Sequence, residues 1–460
     1  MGRLMGITAE NGKDVSLDTI LGMGTMGYAG PRGFGMGSLT EEGLKTFTSN
    51  LVATQAFTRM SKEEISALGG SVCIGYNSTN GVAMPIEIRT VLPFNSPILV
   101  AIDASQETSD EVIKWMKYGK VLIQSVRLAM QEVKGHFALV AMSHDGELIA
   151  ARSSGLMPLS IGMVSGENWV SAMYVSSSSA VLDGGATFVR SVLPGEIITL
   201  SCYGYKSEYT PCLDNTGCPF EAMFLQGPNN KFGGRWVQAI RESVGRAVGK
   251  NVAKLHPDIN PEEWVLLAIP DGGNMFAEGA SQELNAEFLR SVIVKNRYPM
   301  NSGVGHLTVD GRIITSKYKL AGAVPLTAPG YNPKFDVSLD GSVPLLEGTV
   351  GTLNGLIKGK KVILIDDSLF TGDSFRRGAE MLREAGAIEV HAATPTITEH
   401  RCPHGKDAHR IGVVPKSYAG RIDQIAVDLG LDSFTTLSLD ELTDAIGTSQ
   451  KILCTECLCF

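Results

Sequence analysis

Residues 362–374 read Val-Ile-Leu-Ile-Asp-Asp-Ser-Leu-Phe-Thr-Gly-Asp-Ser, and no other stretch of this chain narrows its fold as far. An unbroken Val/Ile/Leu run with no polar alternation suits a strand covered on both faces, the kind found inside a parallel sheet flanked by helices. The run stops at two carboxylates, Asp366 and Asp367, followed by Ser368 and the turn Thr371-Gly372-Asp373-Ser374. Ligands of open α/β sheets bind beyond the carboxyl ends of the strands. Paired carboxylates there can accept hydrogen bonds from vicinal hydroxyls or help hold Mg²⁺. The hydroxyls, the glycine and the amides opening a helix over 374–385 favour an anion, because orphan N–H groups and the helix dipole both point at it. A plain strand, a polar turn and a helix cap would also use Asp and Ser at these places. The functional reading therefore rests on the whole thirteen-residue pattern.

The same strand-and-helix alternation extends over the second half of the chain. An amphipathic helix is expected over 235–250, a strand at Trp264-Val-Leu-Leu-Ala-Ile, a helix over 275–290, and a helix over 374–385 closing on Gly386. This part reads as a doubly wound α/β domain. From about residue 70 to 200 the pattern differs: short β-prone runs such as Ile98-Leu-Val-Ala-Ile and His136-Phe-Ala-Leu-Val-Ala-Met are broken by Gly, Pro, Asn and Asp. Asp145-Gly146 marks a hairpin, and apolar spacing over 109–133 marks a helix. An α+β domain built on antiparallel sheets is expected there, with the polar stretch Tyr203–Gly234 as linker. The expected domains are 1–215, 235–400, and a C-terminal helical extension over 401–460.

Composition excludes several classes. A net charge of −8 with scattered Lys and Arg gives no basic tract for nucleic acid. No apolar run reaches the roughly 18 to 20 residues of a membrane span, and the N-terminal segment lacks a signal-peptide core. Eight cysteines in 460 residues are too few for a disulfide scaffold. A cytoplasmic chain acting on small molecules is the expectation.

The segment 362–374 resembles the phosphoribosyl-pyrophosphate signature of type I phosphoribosyltransferases. Three further segments narrow the resemblance to the glutamine phosphoribosylpyrophosphate amidotransferase family, which opens purine synthesis: Pro270-Asp-Gly-Gly, Lys295-Asn-Arg-Tyr and Met381-Leu-Arg-Glu-Ala-Gly-Ala. The resemblance implies an N-terminal nucleophile hydrolase-like αββα domain followed by a phosphoribosyltransferase sheet. It implies that Asp366 and Asp367 bind the ribose and Mg²⁺, that Thr371 to Ser374 hold the 5-phosphate with Ser368 also in the substrate site, and that Asp271, Gly272 and Gly273 flank the pyrophosphate. Lys295, Arg297 and Tyr298 would lie on or beside a loop that closes over the reaction. Two departures stand out: the family usually has Arg where Thr371 stands, and Pro-Met-Asn-Ser-Gly-Val-Gly-His follows Tyr298 without the expected Gly-Arg-Thr. Asp373 also puts a negative charge beside the expected phosphate, tolerable only if its side chain turns away.

In that family a cysteine at the mature N-terminus attacks glutamine. Here Met5-Gly6-Ile7 matches the segment, and a thioether cannot form the thioester; the first cysteine is Cys73. Gly75-Tyr-Asn-Ser-Thr-Asn-Gly lacks the family's Arg, and Ile102-Asp-Ala-Ser-Gln replaces the His-Asn-Gly stretch of the oxyanion hole. Gly155-Leu-Met-Pro-Leu-Ser-Ile-Gly and Val192-Leu-Pro-Gly-Glu-Ile still resemble that domain's core. The expectation is a kept fold without glutaminase activity.

Cys454-Thr-Glu-Cys457 has the spacing of a metal-binding pair. A subset of the resembled family holds a [4Fe-4S] cluster on four cysteines, and by that resemblance Cys218, Cys402, Cys454 and Cys457 would carry one here, with zinc, using His400 or His404, as the other reading. The family also implies a homo-oligomer, dimer or tetramer. Two functions follow: Mg²⁺-dependent transfer of a phosphoribosyl group to ammonia, free or from a partner glutaminase, or to another amine; or a non-catalytic sensor of phosphoribosyl pyrophosphate or nucleotides.

Overall fold

In the computed structural model the described residues are 2–10, 12–26, 32–79, 81–91, 94–166, 170–210, 217–270, 272–290, 292–295, 308–309, 312–313, 318–320, 356–398, 422–448 and 453–459. The chain forms two compact units. One is centred on Met1–Gln238 and takes in Ser449–Thr455; the other is centred on Ala239–Arg401, with Ile411–Thr448 and Glu456–Phe460.

The first unit stacks two antiparallel sheets. The seven-stranded sheet runs Thr187–Ser191, Ser160–Ser165, Val170–Ser176, Arg3–Ala9, Val72–Ser78, Gly33–Thr40, Gly43–Ser49. The six-stranded sheet runs Gly204–Tyr209, Glu196–Ser201, Leu148–Arg152, Ala138–Ser143, Pro97–Asp103, Ile86–Arg89. Strand alternation divides the core into layers. On Arg3–Ala9, Leu4 joins the apolar cluster that includes Leu99, Val140 and Ile149 of the second sheet. Met5, Ile7 and Ala9 join another with Ile20 and Met23 of the helix Ser16–Thr25. A Cβ on Gly6 would lie 2.8 Å from Val140 and 3.4 Å from Leu148, so the two sheets meet closely there. On the far side of the second sheet the helices Gln106–Met116 and Leu122–Glu132 bury Val112, Met116, Val126 and Met130. The order is helix, sheet, sheet, helix.

Two expectations are corrected here. The helix over 109–133 is two helices, because the chain turns at Gly119, where a Cβ would fall 2.3 Å from the Ser125 amide. The polar stretch 203–234 is not simply a linker. Gly204–Tyr209 pairs as an edge strand with Glu196–Ser201, and Glu221, 2 % exposed, forms an ion pair with Arg152, 3 % exposed. Arg152 also donates to the carbonyls of Ser154 (2.7 Å) and Val192 (2.8 Å), so each of its three guanidinium nitrogens has a partner.

The second unit is a five-stranded, all-parallel sheet in the order Glu287–Phe288, Trp264–Ala268, Lys361–Ile365, Glu389–Thr394, Ser433–Thr436. Val265, Leu267, Val362, Leu364, Val390 and Ala392 pack with Phe375, Leu382, Ile425 and Leu429 of the helices Asp373–Glu384 and Ile422–Leu429. Leu266 and Ile363, which alternate to the other face, are also fully buried. The helices Val237–Leu255 and Asn274–Leu284 meet almost backbone to backbone: a Cβ on Gly245 would lie 2.1 Å from the Phe276 carbonyl oxygen. The segment after residue 400, expected as a helical extension, contributes the edge strand Ser433–Thr436 as well as the helices Ile422–Leu429 and Leu439–Ile446. Among the described residues no helix is long and apolar enough to cross a membrane.

Candidate functional site

The strand Lys361–Ile365 lies in the middle of the parallel sheet, with Trp264–Ala268 beside it in register, Ala268 opposite Ile365. Both end at the same edge, and both are followed by a short loop and a helix. After Ile365 the chain runs through the acidic pair to Asp373–Glu384; after Ala268 it runs through Pro270 to Gly273 and into Asn274–Leu284. The Ile269 amide donates to the Ile365 carbonyl at 2.8 Å, which ties the roots of the two loops together.

The loops also touch through side chains. A Cβ on Gly272 would sit 1.9 Å from Oδ2 of Asp367, and one on Gly273 would sit 2.4 Å from the Ile365 carbonyl oxygen. At Gly273 the obstacle is backbone, so glycine is required there, whereas a side chain at Gly272 would have to displace the Asp367 carboxylate. Asp367 is 7 % exposed, and its Oδ1 accepts from the Ser368 hydroxyl at 2.7 Å. Asp366 is half-buried, and its Oδ1 accepts from the Asp367 amide at 2.9 Å. The two acids are thus unequal: one is turned against the neighbouring loop, the other stands at the strand tip.

The turn that follows is left-handed at its glycine. Gly372 has φ 79° and caps the helix, and Thr371 Oγ1 accepts from the Asp373 amide at 3.3 Å. The Asp373 carboxylate, 76 % exposed, accepts from Arg376 Nη1 at 3.0 Å. Its side chain therefore has a cationic partner one helical turn away, a pairing the i,i+3 spacing makes available. Thr396 was not singled out from the sequence, yet its carbonyl accepts from the Leu369 amide at 2.9 Å, and its hydroxyl donates to the Asp367 carbonyl at 3.4 Å. Nothing in the local sequence marks that residue.

Lys295 ends the strand Ile293–Lys295, opposite Tyr318 of the antiparallel strand Tyr318–Leu320. Asp271, Arg297, Tyr298 and Cys402 lie outside the described residues. The described cluster cysteines are partly gathered: Gly217 bridges Leu453, and the Cys454 amide donates to the Gly217 carbonyl at 2.8 Å, which sets the Cys218 and Cys454 backbones side by side. Cys457 is buried. Among the described residues no group of three or more His, Cys, Asp or Glu side chains comes together as a metal site.

The phosphoribosyl transferase domain family matches residues 238–433, which span both loops and four of the five strands of the parallel sheet. Over longer stretches the chain is 27 % identical to the amidophosphoribosyltransferase of Bacillus subtilis, covering 74 % of this chain and 63 % of that protein. It is 28 % identical to the one from Methanocaldococcus jannaschii, covering 85 % and 76 %. Over most of its length the chain is thus similar to curated amidophosphoribosyltransferases. It spans just under two thirds of the Bacillus subtilis relative's length. A solved glutamine phosphoribosylpyrophosphate amidotransferase from Bacillus subtilis, complexed with ADP and GMP, superposes with a TM-score of 0.73 at 22 % identity, covering 99 % of this chain and 96 % of that one. A second, titled the allosteric regulatory enzyme of purine biosynthesis, gives 0.74 at the same identity. These likenesses extend over both units, so the fold pairs a glutaminase-type antiparallel domain with a phosphoribosyltransferase domain.

Proposed function

We propose that this chain binds 5-phosphoribosyl-1-pyrophosphate with Mg²⁺ at the joined loops and transfers the phosphoribosyl group to ammonia or another amine, without glutaminase chemistry of its own. The observation that carries the reading is the contact of Asp367 with Gly272, which seats the acidic pair and the Pro270-Gly273 loop at one edge of the sheet. A sugar phosphate with a leaving pyrophosphate needs such an arrangement: hydroxyl acceptors between two helix N-termini that each favour an anion.

In this reading Asp366 accepts from the ribose hydroxyls, Asp367 holds the adjoining loop, and the turn 371–374 takes the 5-phosphate. Mg²⁺ is ordinarily held by one or two carboxylates plus the substrate's own phosphates, and the half-buried Asp366 beside Asp367 fits that donor set. When bound, the ion neutralises charge on the leaving group. The amine nitrogen bonds to C1 as the C1–O bond breaks, the electron pair leaves with pyrophosphate, and the amine then loses a proton. Lys295, Arg297 and Tyr298 are assigned to the loop that excludes water.

Support for a silent first unit comes from what fills it. Met5 is 1 % exposed, packed beneath Gly22, and its nitrogen is an internal strand amide. Asp103, 2 % exposed, accepts from the Gly2 amide, and a Cβ on Gly2 would strike the Tyr76 ring at 2.3 Å. Gly2 thus presses against both segments that resemble the family's altered glutamine-site stretches. We further assign Cys218, Cys402, Cys454 and Cys457 to a [4Fe-4S] cluster, supported by the pairing of Gly217 with Leu453. Iron and acid-labile sulfide in an anaerobic preparation test it, and zinc instead overturns it.

The test of the main reading is amine-dependent pyrophosphate release from phosphoribosyl pyrophosphate and Mg²⁺. Release that rises with ammonium, is not supported by glutamine, and vanishes in Asp366→Ala is the expected result. Tight binding with no turnover would make the protein a sensor, and no binding at all would sink the proposal.

A further inference from the structure

We propose that Asp373, paired with Arg376, is a specificity-determining residue that lowers the affinity of the phosphate loop for a fully charged phosphate. The inference rests on the phosphoribosyl reading above and concerns what that loop accepts. The first helical position of an anion site is where the positive end of the helix dipole and the open amides are concentrated. This chain places its own carboxylate at that position, directly after the left-handed Gly372. The amide of Asp373 already donates to Thr371 Oγ1, so one donor of the turn is engaged within the loop.

The carboxylate is compensated from one side. Arg376 Nη1 lies 3.0 Å from Asp373, while Arg377, the next cation on the helix, is engaged 2.8 Å from Glu380. The Asp373–Arg376 pair therefore brings no net charge to the loop. The negative member of the pair sits at the helix start, where a phosphate would bind, and its cationic partner lies one turn further along the helix. At a separation of about 6 Å in a wet site, a unit charge facing a phosphate dianion changes affinity by roughly tenfold. A carboxylate in the first helical turn with an i,i+3 arginine is also what a purely helix-stabilising role would use. The two roles predict different results on replacement: removing a purely structural acid costs stability and leaves affinity unimproved, whereas removing a charge filter raises affinity.

Calorimetric titration of the full chain with phosphoribosyl pyrophosphate and Mg²⁺ tests this, comparing the parent with Asp373→Ser and Arg376→Ala at low and at moderate salt. Asp373→Ser is expected to bind roughly tenfold tighter, and Arg376→Ala severalfold weaker, with both differences shrinking as salt rises. Both residues are exposed, so neither change disturbs the core. Equal or weaker binding by Asp373→Ser, while the parent binds and Asp366→Ala does not, overturns this inference and leaves the phosphoribosyl reading standing. No binding by parent and Asp373→Ser alike overturns the reading itself, and this inference with it.

Discussion

The two units handle charge at their strand ends in opposite ways. In the antiparallel unit the charged groups named here face inward: Asp103 takes the Gly2 amide, and Arg152 closes on Glu221 with both side chains almost fully buried. In the parallel unit the strand Lys361–Ile365 is followed by a half-buried carboxylate beside a buried one, then by an exposed threonine and a left-handed glycine that leads into a helix. Parallel strands require crossovers, so each strand tip is followed by a loop at one common edge. Antiparallel hairpins scatter their turns over both ends. The buried charges named in the first unit therefore serve packing, while the second gathers polar groups at one edge of its sheet.

The strongest way to break that contrast is to attack the buried pair. Glu221→Ala leaves the Arg152 guanidinium without its counter-charge inside the first unit, and losing one partner of a buried ion pair costs about 3–5 kcal/mol. Denaturant unfolding should show this, with the folded variant still binding phosphoribosyl pyrophosphate. A cost under about 1 kcal/mol would mean that water reaches the guanidinium, and the contrast between the units would lose its basis. The next effect belongs to the second unit. Gly273→Ala drives a methyl onto the Ile365 carbonyl, an overpacking expected to cost roughly 1–3 kcal/mol and to abolish ligand heat. Gly185→Ala, with nothing within 4 Å of its Cβ, is the matched control and should stay within about 0.5 kcal/mol of the parent. If the two alanines behave alike, the loops do not approach as closely as described.

Much of this was legible in residues 361–386, where a Val/Ile/Leu run, an acidic pair and a glycine-bearing turn each allow few backbones. Helix Asp373–Glu384 begins one residue before its expected start, and Gly386 ends it with φ 92°. The edge strand Gly204–Tyr209 was read as linker because it is largely exposed, and a solvated edge carries no apolar alternation to detect. The break at Gly119 depends on Ser125, one turn into the next helix, and apolar spacing alone passes over it. The contact of Asp367 with Gly272 joins positions 95 apart, so each motif could be read from its own residues but their meeting could not. The same holds for Cys218 and Cys454, brought together by a bridge that no spacing encodes.

The smallest expected effect sharpens the contrast at the opposite edge of the parallel sheet, where a chain of hydrogen bonds fixes two imidazoles. His391 Nε2 lies 3.0 Å from the Glu389 carboxylate, which only accepts, so that nitrogen carries the hydrogen. His391 Nδ1 then accepts from the Ser433 hydroxyl at 2.8 Å, and the same oxygen accepts from His256 Nε2 at 2.9 Å. His391 is neutral in this arrangement, with Nδ1 accepting, and it stacks on Trp264 at 4.8 Å between centroids. Burial lowers the pKa of both imidazoles; His391 and Lys361 add to it for His256, while Glu389 and Asp432 oppose it for His391 and Asp258 opposes it for His256. A folded pKa below the unfolded one means that the unfolded chain takes up more protons. The stabilisation is therefore complete above the ordinary histidine value of about 6.5 and falls as pH drops below it. Glu441 titrates elsewhere: burial raises its pKa, but the Ser438 amide, Asn251 and Lys254 hold it at about 2. Urea midpoints should accordingly fall between about pH 7 and 5.5, and His256→Phe, which keeps the ring but not the proton, should flatten that slope. An unchanged slope would mean that His256 takes up its proton as readily in the folded protein as in the unfolded chain.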